Sequence, residues 1–196
     1  MRCRHCDALW EYDWEYCPEC QRNYGGAIYP AKQTDDELRE IAELIEQIRI
    51  AFVEVTLGKG ESLHQAHLEG AYWDDALWLA AKEKDPETRW QKVPDWKIES
   101  GASTLSFFDP EGWRFYIPAF MCWTLRNWRT SDSITSDSIL WNLANTGEHW
   151  ERRYRLLDCD QCEAIFDFLT FFDRYSGQDD ADKAIRAYWH QYGKDF

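Results

Sequence analysis

The sequence predicts a mostly α fold of the α+β class: a compact helical domain with one central β-hairpin, preceded by a small metal-binding segment. Three observations lead there. Apolar residues recur at three- and four-residue steps behind helix-capping residues in several windows. Two aromatic, β-favouring runs meet at Asp109-Pro110-Glu111-Gly112. Four of the seven cysteines fall within the first 20 residues. The length, 196 residues, suits one mid-sized domain with a small appendage. An apolar content of 44% excludes wholesale disorder despite a net charge of −14.

Cys3-Arg4-His5-Cys6 and Cys17-Pro18-Glu19-Cys20 are two C-x-x-C knuckles. Each knuckle turns both sulfurs toward one ion, and two together complete a tetrahedral shell of four thiolates. Such a closed shell is structural and suits zinc, with iron the other occupant that thiolates accept. His5 is a bystander, because Cys3, Cys6, Cys17 and Cys20 already fill the shell. The spacing C-x2-C-x10-C-P-x-C, with Tyr16 directly before the third cysteine, resembles the short zinc-ribbon modules at the termini of many bacterial proteins. A zinc ribbon over residues 1–26 and a Gly25-Gly26-led linker over 27–33 therefore precede a mainly helical domain over 34–196.

That domain opens on a capping box, Thr34-Asp35-Asp36-Glu37. Behind it Leu38, Ile41, Ile45, Ile48, Phe52 and Val55 predict one long amphipathic helix closed by Gly58. Its acidic face, Asp35, Asp36, Glu40, Glu43 and Glu46, reads as solvated. Ser62 starts a second helix through about Glu69, and Asp74-Asp75 lead into a third over 76–81. Asp85-Pro86-Glu87 reads as an N-cap, a proline at the first helical position and an acidic first turn, giving a helix that stops before Pro94. The runs Thr104–Phe108 and Trp113–Ile117, joined by a type I turn with a bulge, form the expected hairpin. Pro118 then starts a helix through Trp128. Further helices are expected around Ile139–Leu143, from Asp158 and Gln161 through Phe172, and after Gly177-Gln178 through Trp189.

The string from Leu105 to Ala119, LSFFDPEGWRFYIPA, resembles the central signature of an uncharacterised bacterial domain family. The resemblance implies one compact domain over about residues 35–190 and no particular activity.

Candidate chemistry is sparse. Asp109, Glu111, Arg114 and Tyr116 place two carboxylates, a cation and a phenol on the expected hairpin, where an enzyme site of unknown reaction is conceivable. Turn chemistry accounts for the same residues. His64 and His67 stand three apart near Glu61 without the H-E-x-x-H of a zinc protease. Cys159-Asp160-Gln161-Cys162 opens a helix, yet Cys162 falls in phase with Ile165, Phe166 and Leu169 and reads as core.

Charge carries more. Residues 1–33 hold four cations against five carboxylates, so nearly all of the acidic excess lies in the helical domain. That excludes a phosphate-binding surface, so no nucleic-acid partner is expected. With no long apolar run and no apolar region behind the N-terminus, no membrane partner is expected and the setting is cytoplasmic. Asp35-Asp36, Asp74-Asp75 and Asp179-Asp180, together with 12 tryptophans that cannot all be buried, describe a surface for a basic protein partner. The sharpest expectation is an immunity-type protein that neutralises a basic toxin, for example a nuclease. The alternative is an adaptor whose zinc ribbon contacts a larger assembly.

Overall fold

The computed structural model describes residues 33–68 and 75–193. The chain divides into two units, Met1–Leu38 and Arg39–Phe196, and the architecture below is that of the second. All regular structure among the described residues is helical. The α-helices are α1 (Asp35–Ala51), α2 (Leu63–His67), α3 (Asp75–Glu83), α4 (Asp95–Ser100), α5 (Pro110–Asn127), α6 (Thr135–Ala144), α7 (Glu148–Tyr154), α8 (Cys159–Ser176) and α9 (Asp179–Ala187). Short 3₁₀ turns cover Trp90–Lys92, Ala102–Ser106 and Trp189–Tyr192.

The expected β-hairpin is replaced by helix. Asp109 is the N-cap of α5: its carboxylate accepts from the Gly112 N–H at 2.8 Å, and Pro110 fills the first helical position, where no N–H is needed. Every residue from Gly112 to Leu125 except Arg114 is buried, so α5 is the central rod of the core and is apolar all round. A helix buried on every side has no polar face, and a short window of it reads like a buried strand. Pro118, expected to start a helix, sits inside α5, where it removes the bond that would run to the Arg114 carbonyl. The zinc-ribbon segment, with Cys3, Cys6, Cys17 and Cys20, lies outside the described residues.

Around α5 the other helices place their apolar sides. Ile41, Leu44 and Ile48 of α1, Ile139, Leu140 and Leu143 of α6, Tyr154 of α7, Ile165, Phe168, Leu169 and Phe172 of α8, and Ala181 and Ala184 of α9 all join one hydrophobic cluster. Arg153 of α7 is buried in it and donates to the carbonyls of Ser106 (2.6 Å) and Phe108 (2.7 Å), satisfying backbone just before α5. Trp189 is fully buried, and its indole N–H donates to the Leu143 carbonyl at 2.9 Å, tying the last of the described 3₁₀ turns to α6. The α1 helix ends at Ala51 rather than near Gly58, with Phe52 and Val55 still buried beyond it. Asp85-Pro86-Glu87 starts no helix.

Candidate functional site

The quartet on the expected hairpin is dispersed along the first two turns of α5. The Asp109 Oδ1 atom accepts from both Gly112 and Glu61 N–H groups, at 2.8 and 3.0 Å, while the Asp109 N–H donates to Glu61 Oε2 at 3.2 Å. A carboxylate so engaged serves as a helix cap. Glu111 is exposed. Arg114 donates from Nε to Gln161 Oε1 of α8 at 3.3 Å. Tyr116 is buried; its oxygen accepts from the Leu63 N–H at 3.1 Å, and its ring stacks on Phe108 at 4.7 Å. Burial, with the negative charges of Asp85 and Glu87 nearby, pushes its phenol far above the ordinary range. Through Tyr116 and Arg114 these residues hold α2 and α8 against α5.

A second cluster joins residues that are distant in sequence. Asp85, almost wholly buried, accepts from the His64 N–H at 2.8 Å and pairs with His64 Nδ1 at 2.9 Å. Lys97 Nζ reaches Asp85 Oδ1 at 2.9 Å, Glu87 at 2.8 and 3.0 Å, and the Lys84 carbonyl at 2.8 Å. Burial works to raise the Asp85 carboxyl, but the bonds from the His64 backbone, Lys97 and the His64 ring outweigh it and hold the carboxyl below its usual value. For Lys97 burial opposes the charge, and bonds to Glu87 and Asp85 overcome it, leaving the ammonium harder to deprotonate. The cluster clamps α2, the segment before the first 3₁₀ turn and α4 together. His67 is exposed and outside it, and Glu61 is turned toward Asp109. No group of three or more metal-ligating side chains occurs among the described residues.

The acidic surface is organised by α1 and α8. The two helices run antiparallel: Gln161 Nε2 at the start of α8 donates to the Ala51 carbonyl at the end of α1 (3.1 Å), while Arg174 pairs with Glu40 (2.9 Å) at the opposite ends. Between them lies a groove of about 550 Å³. Glu43, Glu46, Asp160 and Glu163 line it, with Ile50 and Ala51 as its apolar part and no cation among its lining residues as described. Beside it, sharing Glu43 and Gln47, is a smaller hollow of about 250 Å³ that includes Glu40, Asp167 and Arg174. Gln47 Nε2 donates to Asp167 Oδ2 at 2.7 Å and fixes the helix spacing where the two meet. Ile50 is 65% exposed, and Val53, one turn on, is 44% exposed. Glu43 and Glu46, expected as part of a solvated face, share this groove with Asp160 and Glu163 of α8. Those two, with Asp167 beside the groove, are acids that no sequence motif marks. The spacing of three and four from Asp160 through Glu163 to Asp167 was the available signal, since it puts all three on one edge.

The aspartates singled out in the sequence are not gathered there. Asp35 and Asp36 lie in the first turn of α1, Asp75 in that of α3, and Asp179 and Asp180 in that of α9; Asp74 lies outside the described residues. In each case negative charge meets the positive end of a helix dipole. Asp179 and Asp180 also line a hollow of about 430 Å³ with Asp137 and Lys183, and Lys183 pairs with Asp180 at 2.9 Å. Cys159 is exposed and Cys162 buried, and burial pushes the Cys162 thiol up to about 11, in keeping with a core cysteine. Trp96 and Trp141 are among the rings that reach the surface. Among the described residues no helix is long and apolar enough to cross a membrane.

Comparison with known proteins places the domain without assigning it an activity. A family model described as a family of unknown function (DUF6714) matches residues 40–193, and the chain belongs to that family. No curated protein and no solved structure matches the chain.

Proposed function

We propose that this member of a family without known function is a binding protein for a basic protein partner. In its sharpest form it is an immunity-type protein that neutralises a basic toxin such as a nuclease. The observation that supports the reading is the convergence of carboxylates from α1 and α8 on one groove with an apolar part. Acidic side chains so placed can occupy a cleft built to attract phosphates, and complementary charge raises association rate and selectivity while apolar contact supplies residence time. The overall charge of −14 acts in the same direction at long range.

Tagged capture from native cells at low and moderate salt, read by mass spectrometry, tests this. A stoichiometric basic protein, released as salt rises and inhibited when the purified chain is added back, is the expected result. Recovery of the chain alone at both salts overturns it. Binding that persists without inhibition shifts the assignment to an adaptor.

We also infer that Cys3, Cys6, Cys17 and Cys20 hold one structural metal ion, zinc by the preference of a four-thiolate shell. The support is the doubled C-x-x-C spacing. Metal analysis of the purified chain tests it directly.

A further inference from the structure

The geometry of the α1–α8 groove bears on what kind of surface it accepts. Its edges are two helices held in fixed register by three polar contacts, Gln47 to Asp167, Gln161 to Ala51 and Arg174 to Glu40, at 2.7, 3.1 and 2.9 Å. The groove is therefore formed before anything binds. Together with the hollow beside it, the groove spans α1 from Glu40 to Ala51, about 16 Å at 1.5 Å per residue, the length of about three turns of a third helix. The carboxylates stand on both rims, Glu43 and Glu46 on one and Asp160 and Glu163 on the other, and Ile50 is exposed near the wide end. A flat basic surface would leave that apolar end uncovered, and an extended basic chain would carry no ridge to fill it. A helix with one apolar stripe flanked by Lys or Arg matches both features, by the mode in which an amphipathic helix lies in a groove.

We propose that the α1–α8 groove is the docking site for a cationic amphipathic helix of the partner protein, about three turns long. Its apolar stripe sits on Ile50 and Ala51, and its cations face Glu43, Glu46, Asp160 and Glu163. At the far end Arg174 is paired with Glu40 and Tyr175 donates to the same carboxylate at 3.0 Å, so the groove is less negative there. The cationic end of the occupant therefore lies toward Ile50, away from Arg174. The inference rests on the reading of the chain as a binder of basic proteins and adds the site and the shape of what fills it.

The test uses the full chain and a labelled synthetic peptide of Leu and Lys with one apolar stripe, about 11 residues or three helical turns long. A peptide of the same composition, scrambled to break the stripe, is the control. Fluorescence anisotropy should show at least tenfold tighter binding of the striped peptide. The pair Glu43→Gln with Glu163→Gln, and Ile50→Ser alone, should each weaken it at least fivefold. The pair Asp179→Asn with Asp180→Asn, which removes the same charge elsewhere, should change it less than twofold. Unaltered thermal melts certify the folded state of each variant. Equal binding of both peptides, or equal weakening by the α9 pair, overturns the proposal and leaves only general attraction between opposite charges. Capture from native cells separates the two levels. A basic partner retained in full by the groove variants overturns the groove while the binding reading stands. Groove-specific peptide binding in a chain that captures no basic protein supports the groove and removes the neutraliser reading.

Discussion

Replacing Lys97 by methionine keeps much of the side-chain volume but removes an ammonium that contacts both Asp85 and Glu87. Lys97 and Asp85 have side chains only 5% and 1% exposed, so water cannot take over the lost contact. Removing one partner of a buried pair costs about 3–5 kcal/mol, because the other charge stays behind uncompensated. At roughly 2–4 °C per kcal/mol for a domain of this size, the melting midpoint should fall by roughly 6–20 °C. Adding Asp85→Asn to Lys97→Met should recover part of the loss, since the stranded charge is then gone. Urea and thermal unfolding of the single and double variants measure both effects. The pH profile has a definite sign. Asp85 is held below its ordinary 3.8, so its contribution is present above that pH and lost as the pH falls through the lower folded-state value. Lys97 is held above its ordinary 10.5, so its contribution is present below that pH and lost as the pH rises through the higher folded-state value. The gap between wild type and Lys97→Met should therefore be widest near neutrality and narrow in acid. A loss under about 1 kcal/mol at pH 7 would refute the clamp, since surface pairs behave that way and buried ones do not.

Four further outcomes are expected. Asp109→Ala removes a cap and the acceptor of the Glu61 N–H, and should cost about 1–2 kcal/mol in urea unfolding, with Arg114→Ala costing less. Gly112→Ala places a Cβ 2.5 Å from the Glu61 carbonyl oxygen, so the 60–61 loop must move off α5; a loss of about 1–3 kcal/mol is expected, and a neutral result would mean that the loop yields freely. Tyr116→Phe strands the buried Leu63 N–H and should cost about 1–3 kcal/mol, with increased amide exchange at the start of α2 as the local readout. For the proposed metal site, a colorimetric thiol titration of the folded chain should find Cys159 reactive at once, four more thiols only after chelation, and Cys122 and Cys162 only on unfolding; prompt reaction of the N-terminal four would exclude a bound ion.

The helices that were legible are those with one buried side and a marked end. In α8, Asp158 accepts from the Gln161 N–H at 2.9 Å, as its capping-box spacing predicts, and Gly177 ends the helix in the left-handed region at φ 64°. The start of α1 follows the same logic, with Thr34 accepting from the Glu37 N–H at 3.1 Å. What failed was the middle, and two identical tripeptides show why. Asp85-Pro86-Glu87 and Asp109-Pro110-Glu111 carry the same local signal for a helix start. Only the second becomes one. Behind Asp109 comes an apolar run that can be buried on every side as α5, whereas Asp85 is drawn inward to Lys97 and the His64 backbone, so its carboxylate is unavailable as a cap. Tertiary contact chose between equal local propensities. The aromatic content of α5, read as β preference, reflects burial instead.

The candidate site was harder to read than the fold because its parts become neighbours only through pairing of distant helices. Gln47 and Asp167, which set the groove's width, are 120 positions apart, and Glu40 and Arg174 are 134 apart. Within each helix the acidic edge could be counted from the sequence: 40, 43 and 46 on α1, and 160, 163 and 167 on α8. Which edges face each other could not. Conspicuous doublets such as Asp35-Asp36 and Asp179-Asp180 are easy to see, yet adjacent residues on a helix diverge by about 100°, so a doublet builds no continuous edge along the helix. Residues spaced by three and four do share an edge, and they look unremarkable in one dimension. A search for docking surfaces on helical proteins should therefore weigh charge by helical phase rather than by adjacency. By that criterion α8 carries the acidic edge that the doublets lack.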